Sequence, residues 1–295
     1  MSHSLSLDRW KTLIRAGLDE DQWRWDWTTL GTLGAKPRSS RAQIIAKAPG
    51  VWAAAELVDA VNDLAHEYGQ KNFARSKLKN GASVKPGTVV ASWSGSAQII
   101  LAFERSFLNL ASYVSGVATA TAELVEKARK AVPKNPPRIT STRKTLPGYR
   151  DLAVHGVCVG GGFSHRISLA AGVLIKENHI AVAGGVGAAI DGVRKLAPHG
   201  LKIETEVRSI KELREAVDAG ADAVLLDNFS PVELKSALAL LHKLSVRPVV
   251  EASGGIHADN IAQYALEGVD VISVGALTHS VKGLDLSLLM QGVSR

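Results

Sequence analysis

Residues 203–275 read IETEVRSIKELREAVDAGADAVLLDNFSPVELKSALALLHKLSVRPVVEASGGIHADNIAQYALEGVDVISVG, and this stretch decides the fold. A short apolar run, an acidic or glycine-bearing end, an amphipathic stretch and a glycine follow one another four times. Ile203–Val207, Ala223–Leu226, Val249–Ala252 and Val269–Val274 are the predicted strands. Between them, Ser209 with Glu212 predicts a capped helix that ends at Gly220. Ser230, Pro231 and Glu233 open a second helix that runs to about Lys243, and a third is expected from about Ala258 to Glu267, stopped by Gly268. The strands are rich in Val, Leu and Ile without two-residue alternation, so both faces are buried and the sheet is parallel. Such repeats suit an α/β barrel, in which the C-terminal strand ends carry the chemistry. Glu206, Asp227 and Glu251 fall at or near those ends. Upstream, Val154–Val159 and Gly172–Ile175 read as earlier strands of the same barrel.

Working outward, the first third has a different texture. Gln43–Ala48 and Thr88–Trp93 are strand-like, a helix is expected over Ala53–Tyr68, and Lys85, Pro86 and Gly87 form a turn, which together make an α+β layer. Ser96–Ala131 reads as one or two long helices, divided near Gly116, where the two parts join. Residues 1–29 are expected to be helical, with Trp10, Trp23, Trp25 and Trp27 as aromatic anchors against the body of the protein or a partner subunit. Apolar residues make up 46% and charged residues 21%, which excludes collagenous and largely disordered chains. No apolar run reaches signal-peptide or membrane-spanning length, so a cytoplasmic protein without a membrane partner is expected. A single cysteine, Cys158, excludes an intrachain disulfide and a multi-thiolate metal site.

The chain carries a net charge of +7, and the basic excess lies in residues 1–150, which hold 22 Lys and Arg against 12 Asp and Glu. An anionic partner follows. Aromatics are only 5% of the chain, so the basic stripe with interleaved aromatics that nucleic-acid modules use is missing, and a small polyanionic substrate fits better. The densest cationic group is Arg143 and Lys144, then His165 and Arg166 after the glycines at 160–162, then Lys176 and His179. Such a cluster among turns and apolar strands is tolerated when it holds an anion. Arg143 and Arg166 can each grip a carboxylate through two hydrogen bonds, which points to a planar dicarboxylate, whereas lysines suit phosphates. Glu206 and Asp227 on adjacent strands suit Mg²⁺, sugar hydroxyls or a developing cation. Ser253, Gly254 and Gly255, and also Gly275, follow the last two strands as candidate phosphate loops.

With these residues in view, STRKTLPGYRDL, VGGGFSHRISL, VLIKENHI, ETEV, VLLDNFSP, EASGGIHADNI and GVDVISVGALTHS resemble the quinolinate phosphoribosyltransferase family. WDWTTLGTL, VKPGTVVASWSGSA, ERSFLNL and VSGVATAT extend the resemblance over nearly the whole chain. The resemblance implies an α/β fold: an incomplete α/β barrel (116–279) with an N-terminal α/β sandwich (1–115), to which the tail (about 280–295) returns. It implies a homodimer with shared active sites, in some members built into a hexamer. It places Arg105, Arg143, His165, Arg166 and Lys176 around quinolinate, with Arg105 reaching in from the partner subunit. Lys144, Glu206, Asp227, Ser253, Gly254, Gly255 and Gly275 would hold phosphoribosyl pyrophosphate. Its Mg²⁺ would be held mainly through the pyrophosphate, with Glu206 and Asp227 as further ligands. Two departures from the family pattern, Ser141 before the Thr-Arg-Lys and Glu177 in place of Asp, touch neighbours of these ligands rather than the ligands themselves.

The implied reaction makes nicotinate mononucleotide, pyrophosphate and CO₂ in NAD biosynthesis, with Glu206, Asp227, Lys144 and Lys176 as the catalytic group. Three alternatives stand beside it. A paralogue of the molybdenum-associated type would act on another pyridine-like acid, a barrel aldolase would use Lys176 as a Schiff base, and a non-catalytic basic binding protein would account for the net charge alone.

Overall fold

The computed structural model describes residues 5–34 and 36–291. The first four residues of the tryptophan-rich segment and the last four of the tail lie outside the described residues. The remainder divides into two compact units, one drawn from residues 5–122, 151–161 and 281–291, the other from 123–150 and 162–280.

The first unit begins with α1 (Leu7–Glu20), a 3₁₀ turn (Trp23–Trp25) and α2 (Trp27–Leu33). Ser6 caps α1 by accepting the Arg9 amide, and Asp26 caps α2 by accepting the Thr28 and Thr29 amides. Strands β1 (Ser39–Ala46), β3 (Ala74–Arg75) and β5 (Val89–Ser96) join β12 (Leu286–Gln291) in an antiparallel sheet of order β12-β1-β5-β3. A small pair, β2 (Gly50–Val51) and β4 (Ser83–Val84), stands apart from it. Helix α3 (Ala55–Glu67) buries Leu57, Val58, Val61 and Leu64. The core is aromatic: Trp93 stacks near Phe73 and meets Phe107 edge-on, with ring centroids 5.4 and 5.1 Å apart. Trp10 is fully buried and anchors α1, and Trp23 packs edge-on against Tyr68. Trp25 and Trp27, by contrast, are 64% and 74% exposed and lean on each other at 6.0 Å.

Three elements differ from the sequence reading, two of them around the long helix. The segment expected as a strand at Val154–Val159 is helical, α5 (Arg150–Val159), because Gly156 and the following Gly160 lie four residues apart on one face. A Cβ on Gly156 would stand 2.8 Å from the Val114 carbonyl, and one on Gly160 would stand 2.4 Å from the Ala118 carbonyl. The pair therefore lets this segment press backbone to backbone against the long helix α4 (Ala97–Ala131), and full burial on all sides erases the helical periodicity that sequence reading relies on. Helix α4 itself runs unbroken through Gly116. That glycine is there for contact: a Cβ would meet the Lys282 carbonyl at 2.4 Å, where the C-terminal segment crosses the helix.

The second unit is built on six parallel strands: β6 (Arg138–Thr140), β7 (Val173–Ile175), β8 (Ile203–Val207), β9 (Ala223–Asp227), β10 (Val249–Ser253) and β11 (Val271–Ser273). Their order is β6-β11-β10-β9-β8-β7. Among the described strands β6 and β7 end this order without pairing to each other, so the barrel is incomplete; on its outer edge β6 has only an isolated parallel bridge, Thr140 to Phe163. Helices α6 (Glu177–Ala183), α7 (Val186–Leu196), α8 (Ile210–Asp218), α9 (Pro231–Leu241), α10 (Ile261–Tyr264) and α11 (Ala276–His279) alternate with the strands. Both expected caps form: Ser209 accepts the Glu212 amide, and Ser230 and Glu233 complete a reciprocal capping box. The helix expected from Ala258 to Glu267 is only the four residues of α10, because the Asn260 side chain accepts the His257 amide and holds 257–260 as a turn.

Candidate functional site

Strand pleating puts residues two apart on the same face. Glu204 and Glu206 of β8, Leu225 and Asp227 of β9, and Glu251 and Ser253 of β10 accordingly share one side of the parallel sheet. The register places Ser253 opposite Asp227 and Ser273, and Ser273 opposite Thr140. A polar row therefore crosses the C-terminal strand ends, above a row that contains Glu206, Leu225 and Glu251. All of these side chains except Glu204 and Thr140 line a cavity of about 260 Å³. Its rim is cationic: Arg143 and Lys144 follow β6, His165 and Arg166 precede β7, and Lys176 follows β7.

Eight of the residues expected in the site, Arg143, Lys144, His165, Arg166, Lys176, Glu206, Asp227 and Ser253, line this one cavity. Gly275 is beside it, since a Cβ there would lie 3.4 Å from Lys144 Cδ. Gly254 (φ +97°) has no room for a side chain, because a Cβ would stand 2.3 Å from Asn228 Oδ1, whereas Gly255 (φ +61°) faces open space. Arg105 is exposed on α4 in the first unit and is not among the lining residues.

The two arginines are close enough to repel. Burial lowers the pKa of Arg166, and the charge of Arg143 lowers it further. Arg166 donates to the Gly172 carbonyl at 3.1 Å, while the buried Nε of Arg143 has no hydrogen-bond partner. Two converging guanidiniums, one with an unsatisfied donor, describe a place built for an anion.

Acids occupy the opposite side. Glu206 has its pKa pushed up to about 7, first by burial, then by the hydrogen bond it shares with Glu177 and by the charge of Asp227, while Lys176 pulls it down. Lys176 Nζ stands 3.9 Å from Glu206. Arg208, to which sequence reading gave no role, spans the cluster at 3.7 Å from Glu206, 3.5 Å from Asp227 and 3.5 Å from Glu177. Three carboxylates that already gather two cations are hard oxygen donors suited to a divalent ion such as Mg²⁺.

A second missed feature lies deeper. His165 Nε2 is 3.2 Å from Glu251 and 3.5 Å from Glu204, both largely buried. Burial opposes charge on the ring, but hydrogen bonds to the two carboxylates outweigh it and raise its pKa to about 10. The Arg166 amide, which donates to Nδ1 at 2.8 Å, works against that charge, because an imidazolium has no lone pair there. Burial raises the Glu204 carboxyl, with the charge of Glu251 adding to it and the His165 hydrogen bond opposing. Glu204 could have been found from Glu206, two residues on in the same strand; Arg208 gave no signal in the sequence.

Comparison with known proteins gives the family of the chain. Residues 117–289 match the family described as quinolinate phosphoribosyl transferase, C-terminal domain, and residues 26–115 match its N-terminal domain. The chain is similar to a probable nicotinate-nucleotide pyrophosphorylase (carboxylating) of Methanocaldococcus jannaschii, 45% identical over 251 residues that cover 82% of this chain and 86% of that protein. The Homo sapiens nicotinate-nucleotide pyrophosphorylase (carboxylating) is 41% identical over 256 residues, covering 86% and 83%. The solved structure of the nicotinate-nucleotide pyrophosphorylase from Francisella tularensis superposes with a TM-score of 0.87 at 32% identity, covering 99% of both chains.

Proposed function

We propose how the cavity works from one premise: this chain belongs to the quinolinate phosphoribosyl transferase family, so its reaction joins quinolinate to phosphoribosyl pyrophosphate. The products are nicotinate mononucleotide, pyrophosphate and CO₂. The observation that carries the assignment of the site is the pair Arg143 and Arg166, mutually repelling in the free protein beside a set of carboxylates. Quinolinate brings negative charge to that pair, and charge-assisted contact with a carboxylate relieves the repulsion between the guanidiniums. Lys144, at the rim between Arg143 and Gly275, meets the phosphate end of the other substrate, with Ser253 and the glycines behind it.

Departure of pyrophosphate leaves positive charge on the ribose ring, and Glu206 is the carboxylate placed to stabilise it. Asp227 and Glu206 would hold Mg²⁺, which would supply charge neutralisation for the pyrophosphate leaving group. The pyridine nitrogen attacks the ribose carbon and becomes cationic. The bond from ring carbon 2 to its carboxylate then breaks, the electron pair stays on carbon 2 beside the positive nitrogen, and a proton replaces the CO₂. The arginine grip belongs on the retained carboxylate, since a tightly held one could not leave. Lys176 is paired with Glu206, which suits a cation near the acids and not a Schiff base. We further assign a homodimer in which Arg105 of one subunit completes the partner's pocket; support comes from its exposed place on α4 and from the family resemblance of ERSFLNL.

The test is formation of nicotinate mononucleotide from quinolinate, set against nicotinate and other pyridine acids. Arg143→Lys and Arg166→Lys should each weaken quinolinate at least about tenfold, because lysine cannot form the two-pronged contact. Preference for another pyridine acid would favour the paralogue reading, and unchanged affinity in both variants would remove the dicarboxylate site.

A further inference from the structure

We propose that Thr278 is a positioning residue for Lys144, the cation that faces the phosphates; this deepens the phosphoribosyl pyrophosphate reading of the same cavity and rests on it. Strands β6 and β11 run side by side with Thr140 opposite Ser273, and the Val274 amide donates to the Thr140 carbonyl at 2.9 Å. Beyond that bond the two chains part into the loops that carry Lys144 and Gly275. Thr278, in the short helix α11, joins them again: its Oγ1 stands 2.7 Å from the Lys144 carbonyl and 3.1 Å from the Gly275 carbonyl. A carbonyl oxygen can only accept, so the hydroxyl is the donor, and its shorter contact goes to Lys144. Thr278 is 1% exposed, which shields that hydroxyl from water.

Lys144 is thereby held on both sides of its α-carbon. Its amide donates to the Thr142 hydroxyl at 3.1 Å, and its carbonyl accepts from Thr278. Its stem passes Gly275, where a Cβ would lie 3.4 Å from Lys144 Cδ. A lysine ammonium is a point charge on a four-carbon stem with many rotamers, so its position is only as well defined as the backbone that carries it. Thr278 defines that backbone from the neighbouring loop. It ties the place of the charge to Gly275, the other residue of the phosphate end, and so sets the two against each other across the cavity rim that Lys144 lines.

Substitutions that separate the hydroxyl from the packing test this. Thr278→Val keeps the branched shape and loses the donor, whereas Thr278→Ser keeps the donor and loses a buried methyl. Phosphoribosyl pyrophosphate and quinolinate are each titrated calorimetrically into the whole protein. Thr278→Val should bind phosphoribosyl pyrophosphate about tenfold more weakly, because the Lys144 carbonyl is left without its donor, with quinolinate affinity within about twofold of wild type. Thr278→Ser should stay within about threefold for both ligands, although its lost methyl lowers thermal stability. A purely structural role would instead make the less stable serine variant the weaker binder, or weaken both ligands together. Thr278→Ala, which also lacks the donor, repeats the comparison should the valine variant not fold. Lys144→Met supplies the second check: if Thr278 acts through Lys144, adding Thr278→Val to Lys144→Met should weaken binding by less than about twofold more. Additive losses, unchanged phosphoribosyl pyrophosphate affinity in Thr278→Val, or equal loss in valine and serine would each overturn the proposal. If Lys144→Met binds phosphoribosyl pyrophosphate as tightly as wild type, the phosphate reading of Lys144 and this inference fall together. If Lys144→Met binds weakly and Thr278→Val binds normally, that reading stands and only the role of Thr278 falls.

Discussion

Glu206→Gln offers a test of the site's electrostatics that needs no substrate. The Glu206 side chain is only 8% exposed, and its pKa rises from the ordinary 4.5 to about 7, mostly through burial. A carboxyl whose folded pKa lies above its unfolded value holds its proton more tightly in the folded protein, so stability falls as pH rises from about 4.5 through 7. With full desolvation the loss would reach about 3 kcal/mol. The carboxylate faces an open cavity and has Lys176 and Arg208 within 3.9 Å, so screening reduces the expected loss to about 1–2 kcal/mol. Glutamine fills the same volume and does not ionise. The variant should match its parent at pH 5 and exceed it at pH 8, by about 2–4 °C in Tm for each kcal/mol. Thermal unfolding of the ligand-free protein, followed by circular dichroism across that range, measures the difference. An offset that stays constant with pH, or one that favours the parent at pH 8, would refute the raised pKa and its cause.

Turnover should respond to the same substitution. Glu206→Gln is expected to lower kcat by about 10² while quinolinate affinity changes little, because the lost charge acts on the transition state; steady-state kinetics separates the two. Gly160→Ala should destabilise the fold by about 2–4 kcal/mol, since its methyl group has no space before the Ala118 carbonyl, and chemical denaturation will show whether the midpoint falls. For the shared-site dimer, Arg105→Ala and Glu206→Gln subunits, each inactive alone, should regain part of the activity when dissociated and reassembled together. Mixed dimers without activity would show that Arg105 does not complete a partner's pocket.

The second unit was the more legible part of the sequence because its signals are local. Ser209, Ser230 and Glu233 announce their helices through contacts three residues long, and the apolar runs between them are too short to be anything but strands. What stayed hidden depends on partners far away in the chain. Parallel strands are buried on both faces, so their residue pattern does not show which side carries the cavity, and Glu204 looked no different from any other strand acid. The segment around Val157 looked like a strand because every side of its helix is covered. The loops after the strands were visible as glycines, but the meeting of Arg208 with Glu177, Glu206 and Asp227 depends on how β8, β9 and the turn after β7 are brought side by side.

The polar row across the strand ends has a consequence for how the protein tolerates change. Each strand offers the cavity every second side chain, so the arrangement there is set in whole steps of about 3.3 Å along a strand and cannot be tuned continuously. Sliding β8 by one residue would withdraw Glu204 and Glu206 and present Thr205 and Val207, exchanging two acids for a hydroxyl and a methyl-bearing chain. An insertion or deletion inside one of these strands therefore switches the site off outright, whereas length changes in the helices behind them can be absorbed. Faithful strand pairing during folding is, for this protein, a condition of having an active site at all.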